Sequence, residues 1–276
     1  MNLRGLLQSR RAQLGFILVG LLTVTAILAP LLTPYGPAEQ VDLTTKQLLS
    51  PRLQHPFGTD FFSRDLLTRV LFGARVSLSV AFLSIAVSVT IGTTIGMIAG
   101  YAGGFIDTAL MRSVDAALAI PRVFLLLVIL ALWEKVGIFG LVVVLGLTSW
   151  FGTSRIVRAE ILSLRKREFV VAAHSLGLGT ARLMLRHLLP NAMAPVMVAA
   201  TLGMGQIILI EAGLSYLGVG VRPPTASLGR MIGEGWEHIT NAPWVSIFPG
   251  LVIVVTVIGF SLIGDGMRDT LDPKSQ

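Results

Sequence analysis

Apolar residues in this chain come in long unbroken runs, without the two-residue alternation of a half-buried strand or the three-to-four-residue stripe of a surface helix. A helix needs about 20 apolar residues to cross a bilayer. Six runs approach or exceed that length: Leu14 to Leu32, Val76 to Gly100, about Val114 to Trp133, Ile138 to Ser154, Asn191 to Ala212 and Trp244 to Gly264. The pattern predicts an all-α integral membrane protein, a single transmembrane domain over 1–276 with six spanning helices. The third run contains Arg122 and the fourth is short. Between the runs, 1–13 reads as a cytoplasmic tail, 33–75 and 213–243 as external loops, and 155–190 as a long cytoplasmic loop. Ser9-Arg10-Arg11 precedes the first run, which is 19 residues long and has Pro30 where a small-residue cleavage site would lie, so it reads as a retained span and not as a signal peptide.

Composition agrees. The chain is 53% hydrophobic and 13% charged, against about 25% charged in a soluble domain. The net charge of +7 sits largely in loops, with 7 of the 22 Lys and Arg residues in 155–190. That bias predicts cytoplasmic N- and C-termini. No alternation of basic and aromatic residues suggests nucleic-acid binding. The absence of Cys excludes disulfides, thiol catalysis and Cys-based metal sites. There is no Gly-x-x-x-x-Gly-Lys-Ser/Thr phosphate loop, and His55, His174, His187 and His238 show no metal-ligand spacing such as His-Glu-x-x-His. The chain therefore reads as a non-enzyme with no catalytic residues, no metal site and no cofactor of its own.

The most structured polar stretch is 168–191. Glu168 to Leu176 has helical composition, with Ala172 and Ala173 favouring the helix. Gly177 is a natural stop, because glycine enters the left-handed region freely. Thr180 is placed to cap a second helix, Ala181 to Leu189, and Pro190 to break it. The small alanines give the first helix a low-relief face suited to a partner's groove, with Arg165, Lys166 and Arg167 at its rim.

This stretch resembles the EAA loop in the membrane subunits of bacterial ATP-binding-cassette (ABC) importers, a pattern of Glu-Ala-Ala, three residues, Gly, nine residues, Ile, one residue and Leu-Pro. Here Val171-Ala172-Ala173, Gly177 and His187-Leu188-Leu189-Pro190 fall at those positions, with Val171 replacing the Glu and His187 the Ile. His55-Pro56-Phe57-Gly58-Thr59-Asp60 with Ser63-Arg64-Asp65 resembles the His-Pro-Leu-Gly-Thr-Asp-x-x-Gly-Arg-Asp signature of the peptide/nickel branch, with Ser63 in place of Gly. Glu211-Ala212-Gly213-Leu214-Ser215-Tyr216-Leu217-Gly218 and the ending from Gly264 to Pro273 are similar to its C-type permease, a dipeptide or oligopeptide permease subunit. The resemblance implies ATP-driven alternating access for di- or oligopeptides across the inner membrane, with nickel, a nickel chelate or glutathione as substrate alternatives. It implies a second, related permease, two ATPase subunits holding ATP and Mg, and an extracytoplasmic substrate-binding protein as partners. It also makes Phe169, Val171, Ala172, Ala173, Gly177 and Pro190 the ATPase-coupling residues.

Several polar residues carry two readings. Glu211, near the outer end of the fifth span, lines the translocation path or gate, or makes a helix-end interaction. Arg112, Asp115 and Arg122 share one helical stripe, either an interfacial segment with an Arg112–Asp115 pair and a snorkelling Arg122 or a charged path. Thr59 and Asp60 are placed to cap a short amphipathic helix, Phe61 to Phe72. Gly92-Thr-Thr-Ile-Gly96 is a close-packing face for a neighbouring span or a dimer partner. A stand-alone secondary transporter is the rival from another class, and would show intramembrane carboxylate relays or paired broken helices.

Overall fold

The computed structural model describes residues 9–133 and 136–271. These residues are helical throughout, apart from turns and two isolated bridges, Arg52–His55 and Thr59–Asp65. Helix α1 (Arg10–Ile27) starts at Ser9, whose Oγ accepts the Ala12 N–H at 3.4 Å, and the short α2 (Ala29–Leu32) follows. Helix α3 (Leu66–Ala102) has 37 residues, about 55 Å at 1.5 Å per residue. Then come α4 (Gly104–Leu118), α5 (Arg122–Leu132), α6 (Ile138–Leu147) and α7 (Trp150–Leu164). Helix α8 (Glu168–Ser175) and α9 (Thr180–Leu183) lead through a π turn (Met184–Leu188) into α10 (Leu189–Tyr216). Helices α11 (Leu228–Trp236) and α12 (Trp244–Leu271) are the last among the described residues. Five of these runs are long and apolar enough to cross a membrane, and six if the bent pair α4–α5 counts as one span, which matches the sequence expectation.

Two glycine seams hold the bundle together. On α3, Gly92, Gly96 and Gly100 face α7 at four-residue steps. A Cβ on Gly92 would lie 2.7 Å from Thr153 Cβ, one on Gly96 2.5 Å from the Ser154 carbonyl, and one on Gly100 2.9 Å from the Arg158 carbonyl. The small-residue face thus serves packing within the chain. A second seam joins antiparallel α1 and α12, where a Cβ on Gly15 would meet the Gly259 carbonyl at 2.6 Å and one on Gly266 would meet Ala12 Cβ at 2.6 Å.

Several expectations need correction. No helix starts at Phe61: Asp65 caps α3, its carboxylate accepting the Thr68 N–H at 2.8 Å and the Thr68 hydroxyl at 2.7 Å. Thr59 and Asp60 are engaged in the preceding turns instead. The third span is broken, since α4 and α5 meet at 78°. Pro121 disfavours helical backbone at Ile120, and α4 ends at Leu118. That bend takes Arg122 off the Arg112–Asp115 stripe, and Asp115 pairs with Arg155 of α7 rather than with Arg112. Finally, Pro190 does not end a helix. It sits in the first turn of α10, and the missing donor is absorbed by the π turn, in which the Leu189 N–H reaches five residues back to the Met184 carbonyl. Gly179, not Thr180, occupies the cap position of α9.

The long α3 separates two ends. At its start lie 33–65 and 218–243, tied through Trp244 Nε1, which donates to the Thr59 carbonyl at 3.4 Å. At its finish lies the 165–188 segment, tied by Arg165 Nη1, which donates to the Gly100 carbonyl at 3.1 Å. The first is called the cap end below and the second the loop end.

Candidate functional site

At the loop end, α8 is fastened by one face and free on the other. Val170 and Ala173 are buried with Ile161, Leu164, Leu183 and Leu188. Phe169, Ala172 and Leu176, at helical spacings of three and four, are exposed, as is Val171 at 54%. Gly177 has φ +78° and the Leu178 N–H donates back to the Ala173 carbonyl at 3.2 Å, closing the helix in a Schellman turn. Of the coupling residues read from the sequence, Phe169, Val171, Ala172 and Gly177 therefore share an accessible surface. Ala173 differs: it is 9% exposed and roots the helix, its small side chain letting α8 lie against α9 and the π turn. Pro190 is exposed at the root of α10. A cavity of about 270 Å³ adjoins α8, with Tyr101, Arg165, Val171 and Ser175 in its wall. Arg165 lies 5.4 Å from the Tyr101 ring centroid, so the rim charge is fixed in place.

At the cap end the His-Pro-Phe-Gly-Thr-Asp stretch folds into a compact polar knot. Gly58 has φ +81°, and a Cβ there would lie 2.3 Å from the Leu49 carbonyl. Thr59 Oγ donates to the Lys46 carbonyl at 2.6 Å and accepts the Leu49 N–H at 2.9 Å. Asp60 accepts the N–H groups of Phe62 and Arg64, both at 2.9 Å, together with Arg64 Nε at 2.7 Å and Arg69 Nη1 at 2.5 Å. Arg64 and Arg69 both reach on to Glu234 of α11, at 2.9 and 3.3 Å. His55 Nδ1 lies 2.8 Å from the Asp65 carboxylate, with both side chains buried. Ser63 stands at the family's glycine and carries φ +57°. It compensates with two contacts that glycine offers only in part: its carbonyl accepts the Val41 N–H at 3.0 Å and its hydroxyl the Asp42 N–H at 3.1 Å. The sequence marked His55 to Asp65 as a motif but read Thr59 and Asp60 as helix caps, and it gave no sign of Arg69 or Glu234, which lie outside the motif.

Glu211 is fully buried between α3, α10 and the start of α11. Its carboxyl accepts hydroxyl hydrogens from Ser77 at 2.6 Å, Ser215 at 2.8 Å and Ser227 at 3.1 Å. Ser215 Oγ in turn accepts the Val221 N–H at 3.1 Å. In this conformation the group ties three segments together. Ion pairs at the other end, Arg158 with Asp107 at 2.5 Å and Arg155 with Asp115, fasten α4 to α7; nothing in residue spacing pointed to them.

Comparison with known proteins identifies the family. The family model for the binding-protein-dependent transport system inner membrane component matches residues 92–276, and that for the N-terminal TM domain of oligopeptide transport permease C matches residues 2–54. A dipeptide transport system permease protein of Alkalihalophilus pseudofirmus is 39% identical over 267 residues, covering 97% of this chain and 87% of that one. An oligopeptide transport system permease protein of Bacillus subtilis is 37% identical over 270 residues, covering 96% and 86%. Among solved structures, a chain of the MetNI methionine ABC transporter in inward-facing conformations shares the fold at a TM-score of 0.57 and 20% identity, covering 75% of this chain and 98% of that one. The chain belongs to the family of binding-protein-dependent transport system inner membrane components, the permease subunits of ABC importers, and within it to the C-type dipeptide and oligopeptide permeases.

Proposed function

We propose that this subunit moves di- and oligopeptides inward by ATP-driven alternating access, as one half of a permease pair with a second, related chain. The observation that carries the reading is α8. It is rooted by Val170 and Ala173 yet leaves Phe169, Val171, Ala172 and Leu176 uncovered. An exposed apolar face on a helix rooted by its opposite face is a shape for docking, and in this family the partner is an ATPase subunit. The loop end and both termini then lie in the cytoplasm. The cap end faces the substrate-binding protein. ATP and Mg belong to the two ATPase subunits. The peptide substrate follows from the relatives, which are named for dipeptides and oligopeptides.

The sidedness follows from charge: 7 of 22 Lys and Arg residues lie in 155–190. Val171, at the position where the family carries a glutamate, leaves docking on α8 to apolar contact, with Arg165, Lys166 and Arg167 supplying rim charge. Affinity purification of the tagged chain in detergent, with mass spectrometry of what accompanies it, tests the reading. A second six-span permease and one or two ATPases are expected. A chain that purifies alone and moves peptide in ATP-free liposomes down an ion gradient would instead be a secondary transporter.

A further inference from the structure

Two spans of this bundle are interrupted, and the interruptions meet. Helix α5 begins at Arg122, just past the 78° bend, and α6 gives way to α7 at Thr148–Ser149. Arg122 bridges the two breaks. Its Nη2 donates to Ser149 Oγ at 2.5 Å and to the Leu145 carbonyl at 3.3 Å, and its Nε to Thr148 Oγ at 3.4 Å. All three acceptors are neutral. The two acids of the neighbouring α4 are engaged elsewhere, Asp107 with Arg158 and Asp115 with Arg155. A guanidinium carries five N–H donors, and the two on Nη1 meet no acceptor among the described residues.

A cavity of about 280 Å³ between α3, α7 and α10 has Arg122 in its wall. Its polar wall is Arg122, Ser88, Ser149, Thr153 and Gln206. A cation at membrane depth with no charged partner marks a path or a binding site. The planar fork of arginine matches a carboxylate in two-point contact. The volume lies just under the usual range for small-ligand pockets, about 300–1,000 Å³, and so suits one end of a solute rather than a long chain.

We propose that this cavity is a subsite for the carboxylate of the transported solute, with Arg122 as the anchoring charge and Gln206 and Thr153 completing the polar shell. The subsite rests on the peptide-import reading and adds to it which end of the peptide this subunit holds. Arg122 remains tied to Ser149 and Thr148 while it does so, which fixes the donor that faces the guest.

The test uses the whole complex, with its second permease, ATPases and substrate-binding protein, in proteoliposomes supplied with ATP. Trialanine and trialanine amide are carried at saturating receptor, so that the receptor contributes equally to every variant. The wild type is expected to favour the free acid. Arg122→Gln should lower free-acid transport about tenfold, the scale of one charge-assisted hydrogen bond, with the amide unchanged. Arg122→Lys should keep part of the preference. Equal loss for both peptides would overturn the subsite and point to a structural role or to a carboxylate of the partner permease as the true counter-charge. An unchanged ratio, or no preference in the wild type, would overturn it as well. Should Arg122→Gln fail to assemble, Gln206→Leu should move the ratio in the same direction by less, and no movement would overturn the proposal. A wild-type complex that carries neither peptide removes the peptide reading and the subsite together. One that carries both, with a ratio insensitive to these variants, removes only the subsite.

Discussion

The hydroxyl of Ser77 on α3 donates to the carboxyl of Glu211 on α10 across 2.6 Å, in a site fully closed to solvent. Ser215 and Ser227 complete the site, so one side chain satisfies three hydroxyls from three segments. Removing it strands them, at about 1–3 kcal/mol for each buried group left without a partner. Glu211→Ala should therefore lower thermal stability in detergent markedly, and Glu211→Gln, which keeps the shape and one acceptor, only slightly. A shift in peptide selectivity by Glu211→Gln at unchanged stability would assign the residue to the path instead.

Arg69 at the cap end is 2% exposed and leans on Asp60 and Glu234. Breaking a buried pair by removing one partner costs about 3–5 kcal/mol, because the other charge stays behind. Asp60→Ala should loosen the whole cap, and hydrogen exchange should rise from Lys46 through Arg69. Glu234→Ala, on the more exposed side of the cluster, should do so less.

The seam between α3 and α7 has no room for a methyl group at Gly96, where a Cβ would lie 2.5 Å from a backbone carbonyl. Overpacking of this kind costs about 1–3 kcal/mol. Gly96→Ala should reduce the melting temperature of the purified protein. Gly20→Ala on α1, where nothing lies within 4 Å, should leave it unchanged or raise it.

Gly177 turns α8 back towards the bundle with φ +78°. Proline is locked near −65°, so Gly177→Pro should reach the membrane yet uncouple the complex, lowering peptide uptake more than tenfold while ATP hydrolysis persists. Asparagine tolerates the left-handed region, and Gly177→Asn should retain most uptake. Similar uptake by the proline variant would remove the turn from the coupling path.

Much of this architecture was legible in the chain. The apolar runs predicted the spans, and Gly177 predicted the end of α8, because both depend on local composition and backbone freedom. The rest depended on partners distant in sequence. Gly92, Gly96 and Gly100 announce a close approach but not that α7 makes it. Thr59 and Asp60 looked like helix caps because the spacing fits, yet the Lys46 carbonyl, the Leu49 N–H and Arg69 compete for them and win. Pro190 read as a helix end because the rule for proline assumes an α turn, and a π turn relaxes it. The surface of α8 was half visible: alternate exposure of Ala172 and Ala173 follows from which face meets Leu183 and Leu188, and only the fold supplies that.

The chain has no native cysteine, so a single one at Ala172 is unique in this subunit. Within the assembled complex, a thiol-to-amine cross-linker at that position should yield an adduct with an ATPase subunit, identified by mass spectrometry, and the same thiol should be shielded from a soluble maleimide. A thiol at 172 that stays open to maleimide in the active complex, and cross-links to no ATPase, would contradict the coupling role of α8.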